Sequence, residues 1–149
     1  MTEPIKLDDN KIKFKVWSFY GNAQDPENVQ LLPTFLKIKA TKEAGMNLLI
    51  KLKRIREALA KEAEIVDKAR IEILEEFTVK DDDGKPKMIE NGYVMPEEAD
   101  KLAELNALYL EFLNQDVELP FDKIKASQIQ GIESLKELDI LEGILDLEA

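Results

Sequence analysis

Polar and apolar residues alternate in two stretches near the start of the chain. In Lys11–Trp17 (KIKFKVW), Ile12, Phe14 and Val16 alternate with Lys11, Lys13 and Lys15. This period of two predicts a half-buried strand, which we expect to continue to about Tyr20. The segment GNAQDPENVQ predicts a loop from its Gly, Asn, Asp and Pro content, and the alternation in Phe35–Ala40 (FLKIKA) predicts a second strand.

A long helix is predicted for residues 42–77, which contain no proline. Its apolar residues recur every three or four positions and form a heptad-like seam of Leu48, Leu52, Ile55, Leu59, Val66, Ala69 and Ile73. Such a helix would be about 50 Å long, whereas a compact chain of this size has a radius of gyration of ~15 Å. We therefore expect an elongated fold or a bent helix. The seam would also allow the chain to form a homo-oligomer.

Residues 78–95 are predicted to return to an extended conformation. Lys87–Ile89 and Tyr93–Met95 flank Glu90-Asn91-Gly92, and Asn-Gly is a strong signal for a tight hairpin turn. Pro96 then opens a second helix that extends to about Gln115, because proline and the acidic residues after it suit a helix N-terminus. Its expected buried face comprises Leu102, Leu105, Leu108, Tyr109, Phe112 and Leu113.

The end of the chain combines one strand with one short helix. Val117–Ile124 alternates, and Pro120 within it restricts this segment to an edge strand or an irregular stretch. Ser134 and Glu137 form a capping-box pattern, which predicts a helix that continues through Leu145. The favoured interpretation is that the apolar face of this stretch closes the core, and the alternative is docking into a partner's groove. That face comprises Ile132, Leu135, Leu138, Leu141 and Leu145.

These elements together predict one α+β domain over residues 1–149. A long helix, a second antiparallel helix and a short C-terminal helix pack with a small antiparallel sheet, made by the N-terminal strands and the hairpin. Residues 1–34 form a strand-and-loop region in this prediction. Residues 35–149 form a helical core with the hairpin at about 78–95.

Composition excludes several chemistries. The chain contains neither cysteine nor histidine. This removes thiolate and imidazole metal ligands, cysteine nucleophiles and every Ser-His-Asp arrangement. No Gly-rich phosphate-binding motif and no GxSxG motif occur among only six glycines. The sequence therefore predicts a protein that is not an enzyme and uses no cofactor.

The formal net charge of −10 argues against direct binding to DNA or RNA, which needs clustered Lys and Arg. The charge is uneven: residues 1–56 carry eleven basic and six acidic residues, whereas residues 57–149 carry ten and twenty-five. Either this is a solvated surface, or one acidic face meets a basic partner. No segment is long and apolar enough to span a membrane, and the start MTEPIKLDDN does not fit a signal peptide. We therefore expect an intracellular protein that does not bind membranes.

One stretch, KDDDGKPKMIENGY, is partly similar to a calcium-binding EF-hand loop. With Gly84 at loop position six, Asp81, Asp83 and Glu90 fall at positions three, five and twelve. Position one is then Val79, which has no side-chain oxygen, and no helix follows the loop. The stretch is therefore interpreted as a solvated acidic turn, with weak divalent-ion binding by Asp81, Asp83 and Glu90 as the alternative.

Two groups of charged residues are candidates for contact with a partner. The long helix carries Lys51, Lys53, Arg54 and Arg56 in its first half and Glu72, Glu75 and Glu76 in its last turn. This order opposes the helix dipole and can mark a functional surface, for which Lys51 and Arg54 are the candidates. The alternative is that these exposed charges contribute little energy. The second group lies in the acidic C-terminal stretch and comprises Glu133, Glu137, Asp139 and Glu142.

The order of these features resembles that of small uncharacterised proteins of tailed bacteriophages and prophages. The likeness covers roughly residues 35–149. It consists of a Lys-rich helix (KIKATKEAGMNLLIKLKRIREAL), an acidic hairpin (VKDDDGKPKMIENGYV), a helix that ends in FLNQDVELPFDKIKASQI and an acidic terminus (LKELDILEGIL). The resemblance implies a setting, in the cytoplasm of a bacterial host cell or in the virion, and assigns no catalytic residues.

The function expected from these observations is non-catalytic binding to another protein, of the phage or of the bacterial host. The binding would serve virion assembly or host takeover. One alternative is an inhibitor that presents acidic residues to a host nucleic-acid enzyme, such as an RNA polymerase or a nuclease. Another alternative is a weak divalent-ion-binding protein.

Overall fold

A computed structural model of the protein shows helices and short strands along the chain. This confirms the predicted α+β class. The structure describes residues 10–22, 24–85, 87–89 and 92–147. The chain divides into a first unit, residues 1–62 and 116–149, and a second unit, residues 63–115. No helix among the described residues is long and apolar enough to cross a membrane. The α-helices are α1 (Leu31–Leu36), α2 (Gly45–Phe77), α3 (Ala99–Leu113) and α4 (Leu135–Ile140).

The strands form two-stranded pairs. In the first unit, β1 (Lys11–Lys15) pairs with β5 (Asp116–Asp122), and β2 (Lys39–Ala40) pairs with β7 (Ile129–Gln130), both antiparallel. The third pair of this unit is parallel and joins β6 (Ile124–Lys125) to β8 (Leu145–Asp146). In the second unit, β3 (Met88–Ile89) pairs only with β4 (Gly92–Tyr93). The sequence had predicted that the N-terminal strands and the hairpin share one sheet. Among the described residues they belong to separate two-stranded sheets, so that prediction was wrong.

Strand β1 confirms the predicted alternation but ends earlier than predicted. Ile12 and Phe14 are buried, whereas Lys13 and Lys15 are exposed and Lys11 is half-buried. After Lys15 the chain forms a 3-10 turn, Val16–Phe19, because the N–H groups of Tyr20 and Gly21 both donate to the Trp17 carbonyl. The continuation of the strand to Tyr20 was therefore wrong.

The predicted strand Phe35–Ala40 is mostly wrong. Residues 31–36 form helix α1, and only Lys39–Ala40 are extended. Leu31 and Phe35 lie four residues apart and are both buried, and Pro33 is accepted because it lies in the first turn. A short run of apolar residues fits the period of a strand as well as that of a helix. Here the burial of Leu31 and Phe35 on one side of a helical turn favours the helix.

Helix α2 confirms the predicted long helix. Its first α-helical residue is Gly45, whose φ of 81° lets the chain change direction after a 3-10 turn at Lys42–Ala44. The seam is also confirmed, with its first-unit members buried in the core and its last two half-buried. The buried members are Leu48, Leu52, Ile55 and Leu59 in the first unit and Val66 in the second unit.

Helix α4 ends at Ile140, five residues before the predicted end. The chain turns because Gly143 passes directly against β1: Lys13 N–H donates to the Gly143 carbonyl at 3.1 Å. A Cβ at position 143 would lie 2.1 Å from the Lys13 carbonyl oxygen, so only glycine fits here. Leu141 and Leu145 of the predicted face are buried and close the core, as does Ile144, but Leu135 was wrongly placed on that face because it is 77% exposed.

In the second unit, main-chain hydrogen bonds tie the end of α2 to the hairpin. Val79 N–H donates to Val94 O at 2.8 Å, and the buried Thr78 hydroxyl donates to the same oxygen at 2.6 Å. Tyr93 O–H donates to Glu75 Oε1 at 3.0 Å. Helix α3 begins at Ala99, three residues after the predicted Pro96, and buries Leu105. The predicted Asn91 turn position lies outside the described residues.

Candidate functional site

An apolar groove of about 520 Å³ lies in the first unit, between α2 on one side and the segment that joins α1 to β2 on the other. We call it the basic groove, because the charged side chains of its lining are all cations. Its lining side chains are aliphatic, aromatic or cationic. They are Phe35, Leu36, Ile38, Lys39, Ala40, Leu49, Leu52, Lys53 and Arg56.

The wall that faces α2 depends on how α1 ends. Phe35 is buried, so the next residue, Leu36, is turned outward and is 50% exposed. The helix ends at Leu36 with Lys37 as its C-cap residue, and the chain then enters β2 at Lys39. Pairing of Lys39 with Gln130 of β7 fixes this wall to the body of the unit.

The opposite wall is one face of α2. Leu49, Leu52, Lys53 and Arg56 recur at three- and four-residue intervals, which places them within a sector of ~100° around the helix. Leu52 belongs to the buried seam and forms the floor, whereas Leu49 is 52% exposed. The groove therefore begins where the core of the first unit reaches the surface.

The apolar surface extends beyond the groove along the first turns of α2. Met46 is 66% exposed and Ile50 is 43% exposed. Leu36 and Leu49 line the groove, and Met46 and Ile50 are further exposed apolar side chains in the first turns of α2. Single exposed apolar residues are common on protein surfaces, but a group of them beside a groove is typical of a binding site.

The cations of the basic groove carry no ionic partner among the described residues. Lys39, Lys53 and Arg56 are all exposed, and none has a described carboxylate within ion-pair distance. Lys37, only two residues before Lys39, is by contrast paired with two carboxylates. The lining of the groove therefore carries three positive charges and no negative one.

This arrangement can bind but offers no group for catalysis. None of the nine lining side chains is a carboxylate, a hydroxyl, a thiol or an imidazole. General acid–base or nucleophilic chemistry at neutral pH would need one of these or a lysine activated by burial, and both lysines are exposed. The groove is suited to an apolar ligand that carries negative charge.

The predicted partner-binding cations Lys51 and Arg54 do not line the basic groove. They lie on other faces of α2, where Lys51 is half-buried and Arg54 is exposed. Lys51 acts within the first unit: the pKa of Asp122 is lowered by its hydrogen bond from Lys11 and, to a smaller extent, by the charge of Lys51. The groove's own cations on α2, Lys53 and Arg56, are their neighbours in sequence.

Two of the four predicted partner-binding acids are engaged within the first unit. Lys37 Nζ lies 3.4 Å from Glu133 Oε2 and also pairs with Glu137. Glu137 in addition accepts a hydrogen bond from Glu133 N–H at 2.7 Å, and its own N–H donates to Ser134 Oγ at 3.2 Å, which confirms the predicted N-cap. Asp139 and Glu142 are exposed.

The acidic turn of the second unit is held by its own aspartate. Asp81 Oδ1 accepts hydrogen bonds from Asp83 N–H at 2.9 Å and Lys85 N–H at 3.0 Å. Asp81 thus closes the turn, which supports the favoured interpretation of this stretch as a solvated turn. Glu90 lies outside the described residues, and no group of three or more potential metal ligands occurs within the described part of the chain.

Sequence reasoning missed the basic groove. Its signal was present in α2, because Leu49 and Ile50 directly follow the seam residue Leu48 and so must lie off the buried face. Lys53 and Arg56 follow Leu49 at helical intervals and mark the same face as cationic. The opposite wall could not be found, because residues 35–40 were predicted to be a strand.

Comparison with known proteins adds no further assignment. The sequence matches no protein-family model, and neither a curated protein nor a solved structure matches the chain. The function must therefore be argued from the groove and the charge distribution.

Proposed function

We propose that this chain is a non-catalytic protein that binds another protein through the basic groove. The observation that carries the proposal is the combination of half-exposed Leu36 and Leu49 with three cations that have no described partner. Exposing the two leucines is unfavourable in water, and a partner that covers them would remove that cost. Carboxylates on the partner would compensate the three cations for the hydration that they lose on contact.

The proposed setting is a bacterial cell infected by a phage. It is supported by the resemblance of residues 35–149 to small phage and prophage proteins. In that setting the partner is a phage protein during virion assembly or a host protein during takeover of the cell. The groove favours neither of these two roles over the other.

Capture from bacterial lysate tests the proposal. The immobilised protein is compared with Leu49→Asp, which places a charge on the groove wall without touching the buried seam. Leu135→Asp is the matched control, because Leu135 is 77% exposed and lies in the same unit but does not line the groove. We expect a bound protein that is lost with Leu49→Asp and retained with Leu135→Asp. Equal capture by all three proteins would show that the groove is not the binding site.

A second candidate function is inhibition of a nucleic-acid enzyme by acidic mimicry. The observation that favours it is the charge of the second unit, whose residues 63–115 include fourteen acidic and six basic side chains, a balance of −8. Helix α3 exposes Asp100, Glu104 and Glu111. Inhibition of an RNA polymerase or nuclease that weakens steeply with salt, and that is lost when these three residues are made neutral, would support it. Leu49→Asp should leave such inhibition unchanged.

A further inference from the structure

The shape of the basic groove restricts what can occupy it. The wall residues of α2 run from Leu49 to Arg56, which corresponds to about 10 Å along the helix axis, or two turns. Leu36 and Leu49 on the facing walls remain about half exposed. A small-molecule site normally encloses most of its ligand, so an open groove of this length is better suited to a segment of polypeptide.

Peptides bind proteins in several common modes, and two of these fit poorly here. Addition of a strand needs a long free edge, but β2 has only two residues. Recognition of a proline-rich segment needs exposed aromatic side chains, but the only aromatic lining residue, Phe35, is 3% exposed. A helix laid in a groove, by contrast, needs apolar walls along one or two turns, which α2 and Leu36 provide.

Charge defines the helix further. Lys39 lies on one wall and Lys53 and Arg56 on the other, so cations flank the apolar floor from both sides. Helix α2 and β2 contribute no acidic side chain to the lining. A helix with carboxylates on either side of its apolar stripe would pair with these cations, whereas a basic helix would be repelled.

We infer that the occupant of the basic groove is an acidic amphipathic helix of another protein. It lies along α2 and inserts apolar side chains at three- and four-residue spacing between Leu36 and Leu49. Its Asp and Glu residues pair with Lys39, Lys53 and Arg56. This inference rests on the proposed function, and it names the class of partner that the groove accepts.

The inference can be tested without knowing the partner, by selection from a displayed library of random peptides about 15 residues long, a length at which single helices become stable. Peptides that also bind Leu49→Gln, a change that removes the apolar contact without adding charge, are removed. We expect the retained peptides to be acidic, with apolar residues at three- and four-residue intervals. Retained peptides that are basic, neutral or proline-rich would overturn the inference, as would a selection that retains none.

Fluorescence anisotropy with one retained peptide tests the charges directly. The double substitution Lys53→Glu and Arg56→Glu should weaken binding roughly tenfold or more, because it places like charges together. A version of the peptide with lysine in place of each acid should bind this double variant better than the unchanged protein. Leu135→Asp should bind as the unchanged protein does. Equal affinity of the acidic peptide for the unchanged protein and the double variant would overturn the inference.

Two further outcomes would assign the groove to another occupant. Sedimentation with phosphatidylglycerol vesicles that is abolished by Leu49→Asp would identify an anionic membrane. Self-association in light scattering that is abolished by the same change would identify a second copy of this chain. Neither outcome is expected.

If lysate capture depends on Leu49 but the selected peptides are not acidic, the proposed function stands and this inference fails. If capture does not depend on Leu49, the groove is not the site and both fail.

Discussion

Lys37 and Glu137 form an ion pair across one hundred residues of sequence and join the end of α1 to α4. The contact changes both groups: the Glu137 hydrogen bond raises the pKa of Lys37, and Lys37 lowers the pKa of Glu137. Because α1 forms one wall of the basic groove, this pair fixes that wall to the rest of the first unit. The lowered pKa of Glu137 also predicts that the stability of the unit depends on pH.

The first prediction concerns this sensitivity. A carboxyl whose native pKa is lowered stabilises the fold above its ordinary pKa, here 4.5, and loses that contribution as pH falls through the lowered native value. The protein should therefore melt at lower temperature as pH falls below about 4.5, and Glu137→Gln should show a weaker dependence on pH. Thermal melts followed by circular dichroism at several pH values measure both.

Glu142→Gln is the control for this prediction, because Glu142 is exposed and has no ionic partner among the described residues. Its acid profile should match that of the unchanged protein. Identical profiles for the unchanged protein and Glu137→Gln would show that the ion pair does not contribute.

A second prediction compares two leucines of α2 in the same unit. Leu59→Ala should lower the free energy of unfolding by about 2–5 kcal/mol, because Leu59 is 0% exposed and its removal leaves a cavity in the core. Leu49→Ala should change it by less than about 0.5 kcal/mol, because that side chain is half exposed. Urea unfolding of the two variants measures the difference. If Leu49→Ala were the more destabilising, α2 would present the opposite face to the core.

A third prediction concerns the close approach of Gly143 to β1. Gly143→Ala should destabilise the first unit by about 3 kcal/mol, since its Cβ would overlap the Lys13 carbonyl oxygen, a main-chain atom. Gly45→Ala is the comparison in the same unit, because a Cβ there meets nothing within 4 Å and only the positive φ is unfavourable. That change should cost about 1 kcal/mol. Equal costs would mean that the backbone near Gly143 can move aside.

A fourth prediction concerns the acidic turn. Asp81→Ala removes both hydrogen bonds to Asp81 Oδ1, so a protease should cleave the turn roughly fivefold faster. Asp82→Ala should not increase the rate of cleavage, because no hydrogen bond of the Asp82 side chain is among those described.

The same turn is not expected to bind calcium. Calorimetric titration of the unchanged protein with calcium should give no binding heat, and chelator should leave the melting temperature unchanged. Heat that is lost with Asp81→Ala would instead support the divalent-ion alternative.

Periodicity predicted the parts of the fold in which one element has one buried face. The lysine-alternating β1, the seam of α2 and the N-cap at Ser134 are set by local pattern and were found from the sequence. Elements shorter than about two helical turns were not predicted correctly from the pattern. Phe35–Ala40 alternates over six residues, which is too few to separate a strand from a helix turn when tertiary burial decides.

The end of α4 and the basic groove depend on residues far apart in sequence. Helix α4 stops because Gly143 meets Lys13, and nothing near Gly143 in sequence indicates that neighbour. The groove needs Leu36 to face Leu49, a proximity that pattern alone does not contain. The candidate cations Lys51 and Arg54 lie on α2, which also lines the groove, but they are not among its lining residues.

Trp17, in the 3-10 turn after β1, is the chain's single tryptophan, and it lies in the first unit at 43% exposure. Its emission therefore reports the state of that unit alone, without any substitution or dye. The far-ultraviolet ellipticity is dominated by helices, including α3 of the second unit. Comparing the two signals along one denaturant titration would reveal whether the halves of the molecule lose their structure in a single transition or in succession.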